Sequence, residues 1–338
     1  MNRRLQRIHR WLGSLLGVLV LAWLLSGVVM MYVGFPSLTR AERLAGAGEL
    51  PALGWTVDPA EMARRAGAGD GASPVLLGEF LGRAVYRLRP EGGAPWSTFL
   101  AEEGSPLPEV TSAQAAEVAR RFAARSGLTT GNVRVTGPIP LDQWTVSSPL
   151  DALRPFHRVS LGDVAGTELY VSVRTGEVVR DTGRRERAWN WVGAVTHWVY
   201  PAILRQHVLA WRTTGRVLSL GALMLVLTGL ALAWRRASRN GRGFQFRGVR
   251  GFHTWAGVVF GVPLAAWLLS GFLSFRIVPL FDDGEPTQAQ LRAWQGLDVA
   301  PASKPLGWEA ARAAAGLPHP IVAAEWRRDG AGELLVVR

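Results

Sequence analysis

The sequence predicts an integral membrane α-helical protein with an α+β domain between its first and second spans. Three observations carry this: three uncharged apolar runs of span length, two flanks whose charge is all arginine, and a stretch of 155 residues where capped helices alternate with strand-like runs. No charged residue occurs from Trp11 to Thr39, or from Gly251 to Phe275 with His253 neutral; Val217 to Trp234 adds eighteen uncharged, mostly apolar positions. Each run reaches the roughly 18–20 residues a helix needs to cross the hydrocarbon layer.

The first run follows a basic start, MNRRLQRIHR, as a signal peptide would. It is longer than a signal core, however, and no small-residue cleavage site follows at 32–37, so it is expected to remain as an anchor. The net charge of +12 is concentrated at the membrane. Arg3, Arg4, Arg7 and Arg10 precede the first span, and Arg235, Arg236, Arg239, Arg242, Arg247 and Arg250 lie between the second and third, with no acid among them. Both segments are therefore expected on the cytoplasmic side. The other 28 basic and 26 acidic residues nearly cancel, so the lipid bilayer, and no nucleic acid, is the partner the charge implies.

The expected organisation is a cytoplasmic N-terminus and first span over 1–33, an outer α+β domain over 34–188, an interfacial helix and second span over 189–234, a basic cytoplasmic loop over 235–250, a third span over 251–275, and the outer start of a second α+β unit over 276–338. The chain has no cysteine, which excludes thiolate-bound iron–sulfur clusters, Cys-ligated zinc and covalent c-type haem.

Within the outer domain, Asp58, Pro59 and Glu61 predict a helix start, and strands are expected at 74–80 and 83–89. Thr111 and Gln114 form a capping box for a second helix that Gly127 stops. VRVTG, QWTVS, FHRVS and ELYVSV alternate as strands of a half-buried antiparallel sheet, the last turning through Thr175 and Gly176 into another short strand.

Two stretches repeat. HRWLGSLLGVLVLAWLLSG (9–27) and HTWAGVVFGVPLAAWLLSG (253–271) agree at eleven of nineteen positions without a gap. LGWEAARAAAGLPHPIVAAEW (306–326) likewise parallels the segment 53–80 once gaps are allowed. The chain is thus expected to be a duplicated protein with three spans present and four in the complete form, truncated within the second copy.

His9, Gly13 and Gly17 are spaced i, i+4, i+8, as are His253, Gly257 and Gly261, so each histidine shares a helix face with two glycines. Two readings stand. The glycines can form a close helix-packing surface with an interfacial histidine, or they can clear room for a flat macrocycle whose iron takes the imidazole. Both spans run outward, which places the two histidines at one depth on neighbouring helices, as a bis-His b-type haem requires. His197 and His207 lie toward the outer face and are candidates for a second haem. They are ten residues apart with Pro201 between, which argues against one iron taking both and leaves Met30, Met31 or a residue of the missing fourth span as the partner. Arg212 and Arg216, beside Arg205, either contact haem propionates or snorkel to the interface. His157 and His319 have no second ligand at metal spacing and are read as structural.

The opening His-x-Trp-x-Gly, the outer Leu-Tyr-Val-x-x-x-Thr-Gly-Glu-Val (169–178), THW, LTGLALAWRR (227–236) and Phe-His-Thr-Trp-Ala-Gly together resemble the PepSY-associated transmembrane proteins of bacterial inner membranes. The resemblance implies a PepSY-like periplasmic domain on a four-span bundle. It also implies similarity to siderophore–iron reductases that bind one or two b-type haems and pass electrons to ferric siderophores. His9, His197 and His253 match the family's span-associated histidines, and His207 enters from spacing alone; the fourth span is absent from this sequence. With no nicotinamide or flavin motif, the expected donor is a quinol or a separate protein. The competing expectation is a non-enzymatic anchored PepSY module that binds or regulates a periplasmic partner such as a peptidase.

Overall fold

The computed structural model describes residues 3–51, 57–66, 75–88, 95–240, 248–275, 287, 289–290, 293, 321–329 and 332–337. The helix expected within 306–316 and His319 lie outside the described residues. The chain forms two units, residues 1–35 with 188–285 and residues 36–187 with 286–338.

Among the described residues, three helices of the first unit are long and apolar enough to cross a membrane: α1 (Arg3–Met30), α8 (Val208–Asn240) and α9 (Gly248–Leu273). They differ from the expected spans at their ends. Arginine is a good helix former, so α1 begins within the basic leader and α8 carries Arg235, Arg236 and Arg239 past the apolar run, shortening the expected loop. α8 packs against both α1 and α9. Ala222, Leu223 and Leu268 form a small core there, with Val20, Trp23 and Leu264 against it. Glycines set two of the approaches: a Cβ at Gly221 would lie 2.9 Å from Leu16 Cδ1, and one at Gly261 2.9 Å from Leu230 Cδ2.

Three short helices precede α8: α5 (Arg184–Val192), α6 (Ala194–His197) and α7 (Ala202–Arg205). α6 packs on α1. It ends in a tight cap in which the Tyr200 N–H donates to the Val195 carbonyl at 2.8 Å and Val199 takes φ 49°. Glycine usually fills that left-handed position, and a β-branched residue there is strained.

The second unit holds α2 (Arg40–Gly46), α3 (Pro59–Arg65), β1 (Val75–Phe80), β2 (Arg83–Leu88), β3 (Ser97–Leu100), α4 (Ser112–Arg125), β4 (Arg134–Ile139), β5 (Phe156–Ser160), β6 (Glu168–Ser172), β7 (Val178–Thr182), β8 (Ala324–Asp329) and β9 (Gly332–Val337). These build two antiparallel sheets, ordered β3-β2-β1-β8-β9 and β4-β5-β6-β7. α4 has the predicted Thr111/Gln114 capping box, and Gly127 follows it at φ 69°. Its alanine face packs on Val159, Leu169 and Val171 of the second sheet. His157 is buried and its Nε2–H donates to the Val110 carbonyl at 2.7 Å.

QWTVS does not form the expected strand. Asp142 Oδ1 accepts the Trp144 N–H at 2.9 Å and the Thr145 hydroxyl at 3.0 Å, and this side-chain turn takes the backbone groups a ladder would need. α2 and β3 were not foreseen, although Thr39 and Glu42 spell the same kind of capping box.

β8 pairs antiparallel with β1 through Val75 with Trp326, Leu76 with Glu325 and Leu77 with Ala324.

Asp181, half-buried in β7, has its pKa pushed up to about 6 by burial and by the negative charges of Glu42 and Glu186. Unfolded, it titrates near 3.9. Between those values the fold binds the extra proton, so stability falls as pH rises through about 4 to about 6 and stays lowered above. Full linkage is about 3 kcal/mol, reduced by the solvent Asp181 retains. Asp181→Asn is expected to stabilise the whole chain by about 1–2 kcal/mol above pH 7 and to change little at pH 4, measured by denaturant titration in detergent.

Candidate functional site

Two imidazole sites occupy the first unit, and both are organised by one device. On α8, the His9 Nδ1 lies 3.2 Å from the Leu225 carbonyl and 3.2 Å from the Thr228 hydroxyl. That hydroxyl itself donates to the Met224 and Leu225 carbonyls. The carbonyl can only accept, so a neutral His9 carries its proton on Nδ1 and leaves the Nε2 lone pair free. On α1, the His197 Nδ1 lies 3.1 Å from the Trp23 carbonyl and 3.2 Å from the Ser26 hydroxyl, which donates to that same carbonyl. The same argument leaves Nε2 of His197 free. In each case a carbonyl and the hydroxyl three residues on, one helical turn apart, clamp an imidazole from another helix.

At the His9 site, α9 brings His253 alongside, with its ring centre 6.3 Å from that of His9 and the planes tilted by 50°. Two imidazoles on one metal, each at a nitrogen–metal distance of about 2.0–2.1 Å, place their ring centres about 6 Å apart. The donor set fits a bis-His iron. Gly17 and Gly257 face open space, with nothing within 4 Å of a Cβ built on either; Gly13 makes only an ordinary contact with Leu225, and Gly261 serves helix packing. The glycine that makes room for His9 is Gly229 of α8, where a Cβ would lie 3.0 Å from His9 Cε1.

The second site is a cavity of about 550 Å³ lined by Trp23, His197, Trp198, Trp211, Arg212 and Trp267. Trp267 of α9 stacks on His197 with ring centres 6.0 Å apart. Gly27 gives His197 its clearance, a Cβ there meeting Cε1 at 3.3 Å. The cavity is large enough for a cofactor-sized ligand, and His197 is its one imidazole among the described residues. His207 stands exposed at the start of α8, outside the cavity lining. The Arg216 Nη2 donates to the Phe275 carbonyl at 2.7 Å, while Arg205 lies over the rings of Tyr200 and Trp211 at 5.3 and 4.9 Å. Of the three arginines, Arg212 is the one that faces the cavity.

The structure thus brings His9 and His253 together, sets His197 in a separate cavity, and leaves His207 apart. Sequence reasoning missed Ser26, Gly27, Thr228 and Gly229. Ser26 and Gly27 close the repeated line, while Gly229 lies in Leu-Thr-Gly-Leu.

Three membrane-length helices and a two-sheet α+β unit define a multi-pass membrane protein with a PepSY-like domain. The sequence model described as PepSY-associated TM region matches residues 6–332, and the chain belongs to that family. Comparison with curated proteins and with solved structures gives no match.

A side chain at Gly229 or Gly27 must displace the facing imidazole. Gly229→Leu is expected to move His9, and Gly27→Leu to move His197, each abolishing the cross-helix bond at one site while leaving the other. Histidine side-chain NMR in detergent would show loss of a single slowly exchanging Nδ1 proton in each variant.

Proposed function

We propose that the chain is a b-type haem protein of a bacterial inner membrane that passes electrons outward to a ferric siderophore. The observation that carries this reading is the 6.3 Å spacing of His9 and His253, which suits a single iron. Nδ1 protonation of His9, fixed by Leu225 and Thr228, supports it further, because a metal-bound imidazole usually donates its other N–H to such a partner. His197 would hold a second haem, and Arg212 would be the cation available to its propionate.

The arginine flanks support a cytoplasmic N-terminus and 235–250 segment, with residues 34–188 in the periplasm. Bound b haem supplies a one-electron carrier. The chain's own residues fix the imidazole tautomers, hold the helices at ligand spacing and keep water from the apolar walls. With a quinol as donor, one quinol loses two electrons and two protons and two ferric chelates become ferrous. A separate electron-transfer protein could take the quinol's place. Hard oxygen chelators hold the ferrous ion less strongly, so reduction releases iron for uptake.

A second reading has its own support: the Leu16–Gly221 and Leu230–Gly261 contacts and the imidazole clamps hold the helices together without any cofactor. On that reading the protein is an anchored PepSY module that binds or regulates a periplasmic partner such as a peptidase.

Purified in mild detergent after haem-replete expression, the protein is expected to be red, with a Soret band that shifts on dithionite. His9→Ala and His253→Ala should each remove the same haem, His197→Ala an outer one, and His207→Ala none. A colourless wild-type protein would sink the haem reading and leave the anchored module. Thr228→Ala, which takes one acceptor from the His9 Nδ1–H, should make the imidazole a weaker electron donor and shift the inner midpoint potential positive.

A further inference from the structure

The second unit contains a cavity of about 380 Å³ whose wall carries Arg40, Arg43, Arg87, Arg121 and Arg125 against three glutamates, Glu79, Glu177 and Glu325. Two of these carboxylates are already committed to the wall. Glu79, with its side chain only 8% exposed, accepts the Gly82 N–H at 2.5 Å and lies 3.6 Å from Arg125 and 3.9 Å from Arg121. Glu177 lies 3.6 Å from Arg87, whose Nε donates to the Thr175 carbonyl at 3.0 Å and whose side chain is 5% exposed. Glu79 and Glu177 therefore lie beside three guanidinium groups, and Glu117, outside the lining, accepts from the Arg121 Nε at 2.8 Å. Arg40 and Arg43 on α2 add two positive charges that have no carboxylate partner among the described residues.

The rest of the lining is apolar, with Phe80, Phe122 and Val178 on the floor. Two glycines keep the rim close to it. A side chain at Gly46 would run into the Phe122 ring, and one at Gly48 into the Glu79 carboxylate. An excess of planar guanidinium groups above an apolar floor selects a ligand with a carboxylate at one end and an apolar body at the other.

We propose that this cavity binds a small organic carboxylate with an apolar body, held by Arg40, Arg43, Arg121 and Arg125 over the Phe80–Phe122 floor. The site goes beyond the haem reading and stands without it, because the ligand is bound, not reduced, and all its residues lie in the second unit.

Calorimetric titration of the full chain in detergent tests this with three probes: benzoate, its neutral isostere benzyl alcohol, and inorganic phosphate. Benzoate is expected to bind saturably and at least tenfold more tightly than either of the others, weakening as salt is raised. The exposed double variant Arg40→Ala/Arg43→Ala, which breaks no ion pair among the described residues, should weaken benzoate about tenfold without changing thermal stability. Arg121→Ala/Arg125→Ala should abolish binding. Benzyl alcohol equal to benzoate, phosphate equal to benzoate, or benzoate binding that survives both double variants would each overturn the proposal. A protein that binds benzoate and carries no haem would overturn the haem reading alone.

Discussion

An imidazole among apolar helices has one proton to place, and where that proton goes decides what the other nitrogen can do. Water is scarce at such a site, so an unsatisfied N–H there is costly. Both His9 and His197 meet this constraint with the same unit, a helix carbonyl with the hydroxyl three residues on. Helix carbonyls are normally consumed by the i→i+4 ladder, but a second lone pair remains and the neighbouring hydroxyl reinforces it. The clamp has two effects. It ties α6 to α1 and α1 to α8, and it presents Nε2 with its lone pair free. The geometry of the bundle and the chemistry open to it thus rest on the same four bonds.

The repeated line shows how much of this could be foreseen. Helical periodicity and a shared direction of travel sufficed to pair His9 with His253, since two identical faces at one depth are legible in one dimension. The outer ends were not legible in that way. Trp23, Ser26 and Gly27 bond and clear His197, whereas their counterparts do something else: Trp267 stacks on that ring, Ser270 makes the same bond to the carbonyl three residues back but stays exposed and meets no imidazole among the described residues, and Gly271 faces open space. Five identical residues hide two different jobs, because the job depends on how each helix is rotated toward a third element, which the spacing within one helix does not fix.

The same limit explains the other differences. The capping boxes and the β1–β2 and β6–β7 turns involve residues a few positions apart, and local chemistry sufficed for the ones it was applied to. QWTVS alternates like a strand, yet Asp142 three residues before Thr145 is a stronger local signal than the alternation it precedes. Gly229 and Thr228 become meaningful only once α1 crosses α8 at that height. The arginine cavity draws on α2, β1, β2, α4, the turn before β7 and β8, so no single window of sequence could display it.

In both units, distant segments build what neither supplies alone. α1 and α9 each contribute one imidazole to the His9–His253 pair, and both contribute to the surroundings of His197. In the second unit β8 joins β1 along its edge and places Glu325 on the wall of the arginine cavity. A strand edge left bare would expose its backbone groups, so the β8–β9 hairpin both satisfies that edge and contributes to the cavity wall.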